Sequence, residues 1–282
     1  MADRQPSLPS LRPLRYPPQF WRCLSRYGFL VSGFTTWAQF LGRKWGRSSG
    51  SPLRMRTRTG LTIHVPIPLL FAFKDIFLHR AYAPPELLGV VPEQPVVLDL
   101  GANAGFFSLF AFHVRPGARC LSFEPMPDNF EILEENRRLQ GPRDWRTFNQ
   151  AVSSTAGMAT LRCPEDSGPS TVSTLRSDGT GGHARTFEVR TRTLGEILET
   201  EAGGCCDWLK IDVEGFEYEI LHALPREGFR RIRTLAIEAE PVDASLKNRE
   251  SLARFLVDMD FDVLLADDAV LYAVNRSYQP RS

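Results

Sequence analysis

The sequence predicts an α/β fold: a mostly parallel sheet with helices on both faces, a terminal antiparallel hairpin and an N-terminal helical extension. Three observations predict it. Beyond Pro95, short runs of β-type composition alternate with helix-length stretches, the pattern of parallel strands joined by crossover helices. The first run, Val96–Leu100, has the near-continuous apolar character of a strand covered on both faces. Near the C-terminus, residues 261–266 and 269–274 flank Asp267-Asp268 and read as a closing hairpin, which adds one antiparallel strand.

The elements follow in order. Residues 1–18, rich in Pro, Ser and Arg, read as disordered or extended. From 20 to 45, Phe20, Leu24, Tyr27, Val31, Phe34, Ala38, Leu41 and Trp45 recur at steps of three and four and predict one helical face, with a split at Gly28 or Gly33. Residues 48–51 read as a linker, 55–65 as a hairpin turning at Thr59-Gly60, and 71–82 as a helix ending before Pro84-Pro85. Strands are expected at Val96–Leu100, Arg119–Phe123, 145–149, Trp208–Ile211 and 232–238. Between and after them come helices at Phe106–Val114, 128–139 with Asp128 as N-cap, 193–200, 216–223 and 251–259. Residues 158–162 and 186–190 read as an inserted hairpin around the loop 164–184, whose six Gly and Pro suggest either an acceptor-side lid or a disordered insertion. The organisation is therefore a basic extension (1–50), a lead-in hairpin and helix (51–95) and the α/β domain (96–282).

Charge is unevenly placed. Of 34 Lys and Arg and 33 Asp and Glu, residues 1–60 hold eleven bases and the single acid Asp3, leaving 23 bases against 32 acids beyond. The basic segment either meets something anionic, such as a membrane surface at residues 20–47, or docks on the chain's own domain. An acid-poor, Arg- and Ser-rich start also has the composition of an organelle transit peptide. No apolar stretch suits a membrane span, and the five cysteines lack metal-ligand or redox spacing, so a cytoplasmic setting is expected.

The chemistry concentrates at strand ends. After Val96–Leu100 comes Gly101-Ala102-Asn103-Ala104-Gly105 and a helix. Backbone N–H groups there can hold a carboxylate, and Asp99 can accept from an ammonium, which suits the amino-acid end of S-adenosylmethionine. Asn103 breaks the three-glycine dinucleotide fingerprint. Glu124, at the end of the second strand, is placed to accept both ribose hydroxyls. Asn149-Gln150-Ala151-Val152 ends the third strand where an adenine would lie, with Asn149 or Gln150 either bonding the base or capping the turn. The fourth strand ends in Lys210-Ile211-Asp212-Val213-Glu214-Gly215, a charged cluster typical of sites, or an ion pair ordering the turn.

The segments Val97-Leu98-Asp99-Leu100-Gly101-Ala102-Asn103-Ala104-Gly105-Phe106-Phe107-Ser108 and Leu209-Lys210-Ile211-Asp212-Val213-Glu214-Gly215 resemble the two signatures of the FkbM-type methyltransferases. Phe123-Glu124-Pro125, Asn149-Gln150-Ala151-Val152 and Thr193-Leu194-Gly195-Glu196-Ile197-Leu198 fit the family in order, with Gly195 departing from its usual acid. The resemblance runs from about Ile76 to Val274. It implies a class I, Rossmann-like, S-adenosylmethionine-dependent enzyme acting on a hydroxyl of a sugar, polysaccharide or secondary metabolite. It assigns Asp99, Gly101, Asn103 and Gly105 to the methionine-binding turn, Glu124 to the ribose, and Lys210, Asp212 and Glu214 to the transferred methyl; Asn149 and Ala151, at the third strand's end, are the candidates for the adenine side.

Asp212 is the first candidate base and Glu214 the second, with Lys210 orienting a carboxylate or stabilising an alkoxide. No metal is expected, although Asp212 with Glu238 or Glu240 offers acids for one. Two other readings stay open. One is a noncatalytic S-adenosylmethionine-binding protein acting through its basic arm. The other is a nucleic-acid methyltransferase, suggested by Arg54, Arg56 and Arg58 but lacking the Asn/Asp-Pro-Pro-aromatic tetrapeptide that grips a flipped base.

Overall fold

A computed structural model of the chain describes residues 11–13, 27–44, 51–164, 184–240, 248–265 and 270–280. The 164–184 loop and the 48–51 linker lie almost wholly outside the described residues, as does most of the 1–18 segment. The N-terminal part begins with strand β1 (Leu11–Pro13), then helices α1 (27–33) and α2 (Trp37–Lys44). The predicted 20–45 helix is therefore split after Gly33, where Phe34 bridges to Thr57. The buried face also differs from the predicted stripe. Leu30, Phe34 and Phe40 are buried, while Tyr27 and Val31 are exposed. Tyr27 and Val31 both lie within α1, so that helix turns a different face, the one carrying Leu30, to the core; Phe20, Leu24 and Trp45 of the stripe lie outside the described residues.

Next come the antiparallel pair β2 (Leu53–Arg56) and β3 (Thr62–Val65), turning through Thr59-Gly60 as expected. A helical stretch follows: a 3₁₀ turn at Ile67–Leu69, α3 (Leu70–Lys74) and a π turn at Asp75–His79 that Arg80 ends in the left-handed region. The short α4 (Pro85–Leu88) completes this part. Asn136 ties it to the rest of the chain. Fully buried, Asn136 donates to the His64 and Ala104 carbonyls and accepts from His64 N–H, so β3 is pinned beside the glycine turn.

The α/β part then runs β4 (Val96–Leu100), α5 (Phe106–Val114), β5 (Arg119–Phe123), α6 (Pro127–Arg138) and β6 (Trp145–Phe148). β7 (Ala151–Val152), β8 (Gly157–Pro164) and β9 (Ala184–Arg192) form a separate three-stranded sheet that contains the inserted hairpin. The chain returns through α7 (Leu194–Thr200), β10 (Trp208–Ile211), α8 (Glu217–Ala223), α9 (Arg226–Phe229), β11 (Thr234–Glu238), α10 (Arg249–Asp258), β12 (Phe261–Leu265) and β13 (Val270–Asn275). Helix α6 starts on Pro127, whose missing N–H suits a first helical position, after Met126. Asp128 is thus not the N-cap; it sits in the first turn and pairs with Arg185 at 3.0 Å.

Among the described residues the main sheet is ordered β1-β12-β13-β11-β10-β4-β5-β6. β13 alone runs antiparallel to its neighbours there, the single reversed strand that the closing hairpin predicts. From β4 the chain winds outward to β5 and β6, then crosses back to β10 on the other side. That places the switch point between β4 and β10, where open α/β sheets bind ligands beyond the strand ends.

Helix α5 is buried on nearly every side because it lies between the sheet and the N-terminal part. Its aromatic residues meet that part in a run of edge contacts: Phe106 against Phe73 and Phe110 against Phe77. Phe34 brings α1 into the same cluster, 5.7 Å from Phe73 and 5.5 Å from Phe77 between ring centres. Replacing Phe34 with Ala is expected to cost about 3–5 kcal/mol of unfolding free energy, the range for a buried aromatic. Chemical denaturation of the full chain measures it, and a loss below 1 kcal/mol would mean that the N-terminal helices are not docked as described.

Candidate functional site

The switch point is built around an unusually close approach of two loops. Gly101 follows β4 with φ +72°, and a Cβ there would stand 1.7 Å from the Asp212 carbonyl oxygen. Glycine is thus required by the neighbouring loop rather than by a ligand. Gly105 has a different reason: at φ +78° its Cβ would meet Leu133 and Trp145 at 2.5 and 2.8 Å, so it serves packing at the start of α5. Asn103 holds a left-handed conformation at φ 49° between them.

Lys210, on β10, spans the same junction. Its ammonium donates to the Gly101 carbonyl at 2.6 Å and lies 3.2 Å from Asp212 Oδ2 and 3.5 Å from Asp99 Oδ1. Lys210 is only 3% exposed, yet its pKa is raised: burial alone would lower it, and the Asp212 and Asp99 carboxylates outweigh that. The ion pair foreseen with Asp212 is present.

Asp99 does not reach the ligand side. It is fully buried, with Oδ2 accepting from the Ser108 amide at 3.2 Å and the Ser108 hydroxyl at 2.8 Å. Ser108 continues to Ser122 at 2.7 Å, and Ser122 accepts from the Trp145 indole at 2.8 Å. The turn's amides are largely committed as well: Gly101 and Ala102 donate to Phe123 O, Asn103 to Glu124, and Gly105 to Ala102 O. The first-turn amides of Phe106 and Phe107, which helix geometry leaves without intrahelical acceptors and whose residues line the cavity, are placed where they could receive a ligand carboxylate.

A cavity of about 290 Å³ opens beyond these strand ends. Gly101, Asn103, Glu124, Ala151, Lys210, Asp212 and Glu214 all line it, so seven of the expected site residues converge there. Asp99, Gly105 and Asn149 do not. Asn149 caps the turn instead, donating to Glu124 O at 2.8 Å and Pro125 O at 3.1 Å. Glu124, 4% exposed, accepts from Asn103 N–H at 2.7 Å and Met126 N–H at 2.9 Å, and burial raises its pKa to about 7 against those donors. The Asn129 side chain donates to Glu124 as well, and three donors do not exhaust a carboxylate's lone pairs, so Glu124 can still accept from a ribose.

Three contributors are not among the expected site residues. Tyr82 reaches in from the 51–95 segment, and its hydroxyl lies within hydrogen-bond reach of Asp212 Oδ2 at 3.2 Å and of Glu238 Oε2. Asp75, from the π turn, lines the cavity with Phe71, Ala72 and Ile76. Glu217, at the start of α8, accepts from Val213 and Gly215 amides at 3.0 and 3.1 Å and so shapes the loop that carries Glu214. Tyr82 and Asp75 stand far from the strand tips in sequence and leave no spacing to read, whereas Glu217 lies just two residues beyond the quoted 209–215 signature.

The lining is strongly acidic: Asp75, Glu124, Asp212, Glu214, Glu238 and Glu240 face one Lys210. Glu214 is pushed to about 9 by burial, Asp212 and Glu240, and Glu238 is raised by burial and Asp212. Among the described residues no group of three or more His, Cys, Asp or Glu is disposed to hold a metal. This donor set fits a ligand with two positive centres and one carboxylate, as S-adenosylmethionine has, lying from the α5 N-terminus across the strand tips.

Comparison with known proteins gives relatives over this same region. A family model described as "Methyltransferase FkbM domain" matches residues 99–263. The chain is 30% identical over 229 residues to the 31-O-demethyl-FK506 methyltransferase FkbM of Streptomyces tacrolimicus, which covers 70% of this chain and 85% of that relative. It is 27% identical over 220 residues to the methyltransferase sdnD of Sordaria araneosa, covering 68% and 82% respectively. Among solved structures it is similar to a methyltransferase FkbM from Methylobacillus flagellatus at 18% identity and TM-score 0.45. That likeness covers 73% of this chain and 53%, about half, of the other.

The raised carboxyls predict how stability responds to pH. Glu124 and Glu217 rise from the ordinary 4.5 to about 7, and Glu214 to about 9. Below 4.5 both folded and unfolded chains are protonated at these groups. As pH rises, the unfolded chain ionises first while the folded one retains its protons, so stability falls until the folded groups ionise too. Thermal midpoints should therefore drop for wild type between about pH 5 and 7 more than for Glu217→Gln, which lacks that titration. Parallel profiles for the two would contradict the assignment.

Proposed function

The chain belongs to the FkbM methyltransferase family, and we propose that it transfers the methyl group of S-adenosylmethionine to a hydroxyl of a small-molecule or glycan acceptor. The observation that carries this reading is that one cavity joins Glu124 at the β5 tip to a partly exposed Asp212 at the β10 tip. A relative named for 31-O-demethyl-FK506 supports oxygen as the acceptor atom.

The chain's own residues divide the work. Ala151, Val152, Leu161 and Phe123 form the apolar wall for the nucleoside end, and Phe123 is backed by Phe148 in a stack 4.6 Å between centres. Glu124 takes the ribose hydroxyls. The first turn of α5 receives the carboxylate, and the acidic lining receives the positive centres. When bound, the cofactor supplies an electrophilic methyl on a sulfonium; no covalent help from the protein is needed, so positioning dominates.

The acceptor must lose its proton as it attacks, and Asp212 takes it. Its Oδ2 is held by Lys210 and Tyr82, and 30% of its side chain stays exposed toward the cavity. Lys210 orients this carboxylate; three oxygens already surround it. Glu214, held to about 9, is neutral near pH 7 and donates rather than accepts. Phe71, Ala72 and Ile76 offer the acceptor an apolar flank, while five carboxylates nearby repel a phosphodiester. That disfavours a nucleic-acid acceptor.

Calorimetry with S-adenosylhomocysteine on the full chain tests the cofactor assignment. Wild type should bind, Glu124→Ala should bind at least about tenfold more weakly, and Asp212→Asn should bind like wild type while losing methyl transfer across a panel of alcohols and glycans. Absence of binding to wild type would end the proposal. Equal affinity in Glu124→Ala would remove only the ribose assignment.

A further inference from the structure

We propose that the Tyr82 hydroxyl is a proton bridge that carries the acceptor's proton from Asp212 on to Glu238. The proposal rests on Asp212 being the base, and it adds two residues that act through Asp212. Tyr82 stands outside the 99–263 span matched by the family model.

The placement follows from strand register. β10 and β11 are parallel neighbours with Ile211 opposite Ile237, so the next residues, Asp212 and Glu238, stand side by side at the sheet's edge. Two carboxylates this close repel unless something lies between them. Tyr82 fills that position, within hydrogen-bond reach of Asp212 Oδ2 at 3.2 Å and of Glu238 Oε2. The ring is 5% exposed, edge-on to Phe107, and faces Lys210 Nζ at 5.3 Å. Tyr272 anchors the adjoining backbone by donating to the Ala81 carbonyl.

A phenol has one hydrogen and here touches two carboxylates. It donates to only one at a time, so the other must either donate to it or face it unpaired, and the three groups bind protons as a unit. Burial and the Asp212 charge raise the proton affinity of Glu238, with Tyr82 and Lys210 opposing, so Glu238 can hold the relayed proton. Glu214, Glu240 and Asp75 also face this group from the neighbouring loops and the π turn.

The step balances with the methyl donor of the proposed reaction as its co-reactant. The acceptor O–H bond breaks and an O–H bond forms on Asp212, while the acceptor's oxygen lone pair attacks the methyl, whose bond to the sulfonium sulfur would break and leave its electron pair on sulfur. The proton on Asp212 passes to the Tyr82 oxygen as the original Tyr82 proton passes to Glu238 Oε2. Asp212 is again anionic, Tyr82 again neutral, and Glu238 protonated. Glu238 lines the cavity, which gives the proton an exit to solvent.

Two measurements on the full chain test this. The first needs no turnover: side-chain carboxyl NMR across pH, with the Glu238 signal identified by its loss in Glu238→Gln. In Tyr82→Phe the Glu238 midpoint should move upward, because the phenol no longer holds its charged form. In Glu238→Gln the ultraviolet phenolate transition of Tyr82 should move down toward the ordinary tyrosine value. If Tyr82→Phe fails to fold, the second shift alone decides, and unmoved midpoints overturn the bridge. The second measurement uses whichever panel acceptor is turned over. Tyr82→Phe and Glu238→Gln should each lower kcat about tenfold or more, the double variant no further, with S-adenosylhomocysteine affinity within about twofold of wild type. Losses that multiply, or wild-type kcat in either variant, overturn the relay. Failure of wild type to bind S-adenosylhomocysteine would instead sink the methyltransferase reading and leave the titrations interpretable.

Discussion

The buried ammonium of Lys210 is the interaction on which the site depends. Taking such a charge out of water is costly unless it is well paired, and removing one partner of a buried pair strands the other. Here one ammonium meets the Gly101 carbonyl, Asp99 and Asp212, and so joins the two strands at the switch point. Gly101 makes this possible by having no side chain where the Asp212 carbonyl passes. The two loops are locked by the same contact that aims Asp212, so architecture and chemistry share their atoms.

Around that point the fold sorts carboxyl groups by environment. Glu214 is buried near like charges and holds its proton, Glu124 is buried but supported by amides and is held only to about 7, and Asp212 keeps access to both Lys210 and the cavity. Chemically similar side chains a few ångströms apart are thereby given distinct duties. The N-terminal part is essential to this sorting because Tyr82 and Asp75 come from it. A methyltransferase domain cut at the start of the family match would lack one wall of its own cavity.

Much of the framework was readable from sequence. Val96–Leu100, Arg119–Phe123 and Trp208–Ile211 begin and end where their composition says, because strands sealed on both faces leave a strong local signature, and the helix Phe106–Val114 between the first two does so as well. Seven of the ten candidate site residues line one cavity. The misses share a cause. Whether Asp99 faces a ligand or Ser108 depends on where the helix after it is pressed, and whether a turn amide is free depends on the Phe123 carbonyl one strand away. Tyr82 meets its partners across 130 and 156 residues, with no periodicity to announce it. The helical stripe failed for the complementary reason: its residues had the right spacing, but which face of α1 meets the core is set by the partners Phe73 and Phe77, and Leu30 rather than Tyr27 and Val31 is buried.

The buried chain from Trp145 through Ser122 and Ser108 to Asp99 has a definite polarity, since the indole can only donate and the carboxylate can only accept. Each hydroxyl must pass its hydrogen in the same direction. Changing any one of the four leaves a neighbour orphaned in a dry interior, so none can drift independently. In evolutionary terms these positions should be inherited as a block, exchanged together or not at all.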